Sequence, residues 1–293
     1  MTTNDRVPFR FEIGVPEGSQ MVTVDGVHLA VARDGKGPAI VCLHAIGHGG
    51  RDFEALTAAI KDRFEVIRID WPGQGRSDTD KAQPTARRYA DLLAGVLSQL
   101  KVQSPIIIGN SIGGAAAIIY ASQHPTRALV LCDSGGIFEV TPGVARLCRL
   151  FASFFSAGAR GAWWYRSAFA FYYRIVLSSP AAAPQRRRIV TAAYEIAGVL
   201  RDAWLAFATP EADIRATAAS LDMPIWIAWA KGDRVIPLRY ALPAIAQMKH
   251  ARLTRFRGGH AAFLERPKHF TREFLKFAES LQLERALLAT PTN

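Results

Sequence analysis

Ser111 stands in Ile106-Ile107-Ile108-Gly109-Asn110-Ser111-Ile112-Gly113-Gly114, an apolar run that ends in G-x-S-x-G and opens onto an alanine-rich stretch. The β-branched run reads as a buried strand. The segment Ala115-Ala116-Ala117-Ile118-Ile119-Tyr120 reads as the start of a helix packed closely against it. A serine between them lies on a tight strand-to-helix turn, where glycines permit the backbone geometry and the hydroxyl points out of the sheet. A serine hydroxyl is a weak nucleophile near neutral pH, so it needs a positioned base, and the base needs an orienting acid. Among the seven histidines, His260 is the expected base, because Phe256-Arg257-Gly258-Gly259-His260 places it in a glycine-rich loop just past the last strand. The expected acid is Asp233 in Ala230-Lys231-Gly232-Asp233-Arg234-Val235-Ile236-Pro237, also just past a strand. Asp133, after the preceding strand, is its rival, and Asp70 a weaker one.

Developing negative charge on a carbonyl oxygen requires fixed donors, each worth about 3–4 kcal/mol in the transition state. The backbone N–H of Ile112 is one expected donor. The other is the N–H of Ile46, in the loop His44-Ala45-Ile46-Gly47-His48-Gly49-Gly50 after an earlier strand. The side chains of His44 and His48 are expected to hydrogen-bond within that loop. Asn110, Trp163, Trp164 and Arg166 are the candidates for contact with substrate.

These residues are spread over a chain of 293 residues that is 49% apolar, enough for one large α/β domain plus an insertion. Residues 22–24 and 27–32, joined by Asp25-Gly26, read as a β-hairpin. Further strands are expected at 39–44, 66–70, 106–109 and 128–132, with helices at 53–60, 85–100 and 112–123 between them. Strands alternating with helices specify a mostly parallel sheet covered on both faces. From 136 to 219 the alternation stops, and the segment is helical in composition and dense in aromatic residues. It resumes with a strand at 225–230, a helix near 243–248, a strand at 252–256 and a last helix from 267 to about 281. The expected organisation is therefore a discontinuous core of residues 22–135 and 220–281, a helical cap insertion at 136–219, an N-terminal extension at 1–21 and a C-terminal tail at 282–293.

The net charge is +11. No nucleic-acid-binding pattern accompanies it, and apart from Arg186-Arg187-Arg188 the arginines are scattered, so the charge reads as a solvated surface, with anionic substrates still open. An interfacial membrane role for the Trp/Tyr/Arg-rich insertion is also open. The first residues carry no signal-peptide pattern, and no apolar run approaches the about 18 residues of a membrane span. Cys42, Cys132 and Cys148 lack metal-ligand spacing and read as small hydrophobes of a reducing compartment. The expectation is a cytoplasmic protein acting on a small molecule, with no metal, no cofactor, no nucleic-acid partner and no integral membrane segment; a homodimer is left open.

The order Ser111, Asp233, His260, the loop 44–50, the element Asp70-Trp71-Pro72-Gly73-Gln74-Gly75-Arg76-Ser77, and Gly259-His260-Ala261-Ala262-Phe263-Leu264-Glu265-Arg266-Pro267 resemble the α/β-hydrolase superfamily, from about residue 22 to 278. The resemblance implies an α/β-hydrolase fold: an eight-stranded, mostly parallel sheet with helices on both faces, a nucleophile elbow, an oxyanion hole and an inserted cap. Ala45 stands where the family usually has glycine. Haloalkane dehalogenases and soluble epoxide hydrolases of this superfamily carry aspartate at the nucleophile position, so Ser111 separates the chain from both. The segments around Asn110-Ser111 and Asp233-Arg234-Val235-Ile236-Pro237-Leu238 are similar to the meta-cleavage-product hydrolases, which break C–C bonds. Those enzymes commonly carry a Gly-Pro-Gly-type loop and Trp after the histidine, against Gly47-His48-Gly49 and Ala261 here. The leading expectation is a serine hydrolase of carboxylic esters working through an acyl-enzyme. The alternatives are C–C hydrolysis of a dienoate and a ligand-binding protein that does not turn over.

Overall fold

Short runs of branched apolar residues, buried on both faces, can be accommodated only in a parallel sheet that helices cover from two sides. Three strands of this chain are buried at every position: β5 (Ile106–Asn110), β6 (Ala128–Cys132) and β7 (Ile225–Ala230). The computed structural model describes residues 7–289, and its remaining strands are β1 (Gln20–Val24), β2 (Val27–Asp34), β3 (Ala39–Leu43), β4 (Glu65–Ile69) and β8 (Ala251–Phe256). They form one eight-stranded sheet in the order β1-β2-β4-β3-β5-β6-β7-β8. The six strands from β4 to β8 in that order run parallel, while β1 and β2 form an antiparallel hairpin whose β2 is antiparallel to β4. At the hairpin tip Asp25 and Gly26 both have positive φ (48° and 77°), the geometry of a two-residue turn that matches strand twist.

The helices are α1 (Glu54–Ile60), α2 (Ala86–Gln99), α3 (Ile112–Ala121), α4 (Pro142–Ala159), α5 (Tyr165–Val176), α6 (Ala183–Thr191), α7 (Ala197–Ala206), α8 (Arg215–Ser220), α9 (Leu238–Ile245), α10 (Ala262–Glu265) and α11 (Pro267–Ala289). Successive packing of α2 on α3, α3 on α8 and α8 on α9 covers one face; α1, α10 and α11 pack together on the other. Helices α4 to α8 interrupt the alternation between β6 and β7, and α4 packs most extensively on α7. Inside this group Phe151, Phe154, Phe155, Tyr165, Phe169 and Tyr172 share ring contacts with centroids 5.1–6.4 Å apart. Trp204 of α7 closes the cluster, 4.5 Å from Phe151.

Two helix boundaries differ most from the sequence reading. The helix expected near 243–248 spans Leu238–Ile245, with Pro243 inside it. As the sixth residue, Pro243 lies past the first turn and supplies no N–H for an intrahelical hydrogen bond, and burial of Ala241, Ala244 and Ile245 sets the helix position despite that loss. The last helix continues past 281 to Ala289, into the segment expected to be a tail. Ahead of β1, Phe9–Ile13 forms a 3-10 turn held by Glu195, which accepts the N–H groups of Phe9 (3.1 Å) and Arg10 (2.8 Å).

Candidate active site

In an open parallel sheet, ligands bind beyond the C-terminal strand ends where the strand order reverses. Here that point is β3, flanked by β4 and β5. Reading outward from it, the ends of β3, β5, β6, β7 and β8 carry the His44 loop, Ser111, Asp133, Asp233 and His260 in turn. Five separate parts of the sequence thus share one rim.

Ser111 adopts φ 54°, ψ −120°, a conformation that costs a non-glycine residue of order 1–3 kcal/mol and persists only where its surroundings enforce it. Its N–H donates to Cys132 O (3.1 Å), and its carbonyl accepts from Gly114 (3.0 Å) and Gly135 (2.9 Å). The turn is tight enough that a Cβ on Gly109 would collide with the Gly113 carbonyl, and one on Gly113 with the carbonyl of Leu43. The motif glycines are therefore required by contact, and they seat the first turn of α3 against the end of β3.

His260 Nδ1 lies 2.9 Å from Asp233 Oδ2, both groups being buried. The other Asp233 oxygen accepts from the N–H groups of Val235 (2.8 Å) and Ile236 (3.0 Å), so this carboxylate is fixed from both sides. With Nδ1 engaged, Nε2 is the nitrogen left to take a proton; it is buried and has no hydrogen-bond partner among the described residues. No hydrogen bond joins it to Ser111 Oγ, a looseness common before substrate binding tightens such contacts. The two are nevertheless tied through the backbone: Asn110 Nδ2 donates to His260 O (2.9 Å) as well as to Cys132 O (3.0 Å). Asn110, expected to touch substrate, is fully buried and pins the histidine loop to the elbow instead.

Asp133 lies between the two partners. Its Oδ1 accepts from Ala230 N–H (2.8 Å), while its Oδ2 is buried without a partner among the described residues. Burial, then repulsion from Asp233, hold this carboxyl well above the usual carboxylate range, against a smaller opposing pull from His260. Asp133, Asp233 and His260 bring ligand-type atoms within 4.8 Å of one another. Three of the four carboxylate oxygens are already committed to the hydrogen bonds above, which leaves Asp133 Oδ2 as the one without a partner among the described residues.

For His260, burial alone pulls the imidazole down, but the charge and hydrogen bond of Asp233, with smaller help from Asp133 and Glu265, raise it above its ordinary value of 6.5. A base must be neutral to accept a proton, so turnover falls as pH drops through the folded-state value. The acid limb of kcat/KM on a non-ionising ester will be shifted upward from the ordinary histidine value, and Asp233→Asn will move it downward in a pH–rate profile.

The second half of the site is the loop after β3. Among the described residues, the N–H groups of Ile46 and Ile112 donate to no protein acceptor, which leaves both available to an oxyanion. Gly47, with φ 77°, is held by Gln74, whose Oε1 accepts its N–H (2.6 Å) and whose Nε2 donates to Tyr89 OH (3.2 Å). His44 is structural. Its Nε2 accepts from Trp71 N–H (2.9 Å), so Nδ1 carries the proton given to Ala45 O (2.7 Å), and burial lowers its pKa to about 3. His48 Nδ1 lies 2.5 Å from Asp52 Oδ2, and Gln185 of α6 donates to the other Asp52 oxygen. That buried link between the loop and the inserted helices had no signal in the sequence, since its members are 137 positions apart at the extremes. Asp70 is likewise structural, accepting the N–H groups of Val15, Gly50 and Arg76.

The inserted helices also reach the histidine directly. Val176 O accepts His260 N–H (2.7 Å), and Glu265 accepts Gly259 N–H (2.5 Å) and Ser179 N–H (2.6 Å). Tyr172 lies near enough to Asp233 for that charge to add to burial in raising its phenol. The other expected contacts point elsewhere. Trp163 is 89% exposed, Trp164 40% exposed, and Arg166 is exposed. They occupy the outer surface at the start of α5, because α5 turns Tyr165, Phe169 and Tyr173 inward.

A strained serine at a strand end, beside a buried His–Asp pair and a loop with free N–H groups, defines an α/β protein of the hydrolase class. The chain belongs to the alpha/beta hydrolase family, which residues 40–274 match. It is similar to an uncharacterized protein of Mycobacterium tuberculosis, 28% identical over 316 aligned positions that cover 93% of this chain and 85% of that one. A shorter stretch, 39% of this chain and 42% of the other, is 32% identical to 2-(acetamidomethylene)succinate hydrolase of Mesorhizobium japonicum. Among solved structures, an esterase from Thermogutta terrifontis superposes with a TM-score of 0.76 at 20% identity, over 90% of this chain and 99% of that one.

Proposed function

We propose that the protein hydrolyses carboxylic esters of small, largely apolar substrates. Ser111 Oγ attacks the carbonyl carbon while His260 Nε2 takes its proton, and Asp233 holds the imidazole and stabilises the imidazolium. The oxyanion is received by the N–H groups of Ile46 and Ile112. Collapse of the tetrahedral intermediate expels the alcohol, protonated by His260. Water, deprotonated by the same nitrogen, then releases the acid and restores Ser111. The observation that carries this reading is the pairing of a strained Ser111 with a His260 whose Nδ1 is held and whose Nε2 is unengaged. In this reading residues 136–219 act as a cap, with Tyr172 toward the site, and the buried free thiols suit a reducing compartment.

The test sets a p-nitrophenyl ester series of increasing acyl length beside a coloured dienoate of the meta-cleavage type. Ester turnover with the dienoate colour unchanged is expected. Bleaching of the dienoate with inert esters would overturn the ester reading in favour of C–C hydrolysis, and tight binding of both without turnover would make the chain a binding protein.

A further inference from the structure

From Val140 to Tyr194 the chain contains eight arginines and neither an acidic residue nor a lysine. The segment therefore carries most of the molecule's excess positive charge. Arg146, Arg149, Arg160, Arg166 and Arg174 on and between α4 and α5 are exposed, and among the described residues none forms an ion pair. Large apolar side chains stand among them in water: Leu147 (51% exposed), Leu150 (66%), Trp163 (89%) and Phe171 (67%). Helix geometry explains why they are there. On α4, Ala145, Cys148, Ala152 and Phe155 face the aromatic cluster, which sends Leu147 and Leu150 to the opposite side. On α5, Tyr165, Phe169, Tyr173 and Val176 do the same and turn Phe171 and Arg174 outward. The turn between the helices, from Arg160 to Trp164, lifts Trp163 clear of the surface.

We propose that this outer face of α4 and α5 is a docking surface for an anionic lipid bilayer. Arginine heads over exposed Trp, Leu and Phe are the composition of an interfacial contact: the guanidinium groups meet lipid phosphates while the apolar side chains enter the headgroup boundary. A nucleic acid would satisfy the arginines but leave the leucines and Phe171 in water. A second copy of the chain, meeting this face with its own, would set arginine against arginine with no acid to relieve the repulsion. The inference does not rest on the ester reading, because binding to a membrane needs no turnover.

The full chain is tested by sedimentation with vesicles of phosphatidylcholine alone and of equal parts phosphatidylcholine and phosphatidylglycerol, with tryptophan emission as the second readout. Trp71, Trp204, Trp226 and Trp229 are buried, so an emission change reports on Trp163 and Trp164. Binding to the anionic vesicles with a blue shift, weakened by added salt, is expected. Arg146→Gln with Arg149→Gln should weaken the partition roughly twenty-fivefold, at about fivefold per arginine. Trp163→Ser should weaken it about tenfold and remove most of the blue shift, with the circular dichroism spectrum unchanged. No vesicle binding, binding indifferent to phosphatidylglycerol, or binding with unshifted emission would each overturn the proposal. So would self-association abolished by the same substitutions, or DNA binding that depends on the arginines and ignores Trp163→Ser.

Discussion

Ser111→Ala will lower kcat/KM on any ester the protein cleaves by at least about 10⁴-fold and will abolish labelling by a fluorophosphonate probe, with folding retained. The magnitude follows from the division of labour at the site. Removing the hydroxyl removes the acyl-enzyme and leaves only the Ile46 and Ile112 N–H groups to stabilise attack by water, a residual far smaller than the whole. Folding survives because the elbow is held by backbone: Ser111 N–H on Cys132 O, and Ser111 O under Gly114 and Gly135. Single-turnover kinetics and a labelling gel decide the matter. Equal labelling of the two proteins would end the covalent mechanism.

The second large effect separates two neighbouring carboxyl groups. Asp233→Asn should reduce kcat by about 10³–10⁴-fold, because an amide cannot hold the imidazole in the right tautomer or stabilise its charged form. Asp133→Asn should cost less than about tenfold, since an amide oxygen can still accept the Ala230 N–H and burial beside Asp233 favours an uncharged group at this position. Burial and the Asp233 charge both disfavour a negative charge at position 133, so a neutral amide there should leave thermal stability unchanged or raise it. Steady-state rates and melting curves of the two variants provide the comparison. The reverse pattern, with Asp133→Asn crippling and Asp233→Asn mild, would make Asp133 the orienting acid.

The alternation of short buried strands with helices was legible in the chain because parallel strands have no exposed face on which polar residues could blur the pattern. The rim was legible for a related reason. Ser111, Asp133, Asp233 and His260 each follow a recognisable strand end, and parallel strands bring those ends to one edge. What no local pattern could show was direction within the inserted helices. Trp163, Trp164 and Arg166 lie in the same aromatic- and arginine-rich run as Phe155 and Tyr165, yet the first three are exposed while α4 turns Phe155, and α5 turns Tyr165, into the aromatic cluster. The role of Asn110 was hidden for a similar reason: its place beside the nucleophile gave no sign that its Nδ2 donates to the carbonyls of Cys132 and His260, with Oδ1 buried and without a partner among the described residues. The ties through Gln185, Glu195 and Glu265 join residues far apart in the chain, and each exists only after the domain has closed on itself.

The histidine does not rest on its own scaffold alone. Residues 176–179, the strand of chain leaving α5, grip its loop at two points, through the Val176 carbonyl on His260 and through Ser179 on Glu265, which also clasps Gly259. Displacing this linker would cost His260 the Val176 carbonyl and free Glu265 from Ser179, while the contacts of His260 with Asp233 and Asn110 lie on other elements and would remain.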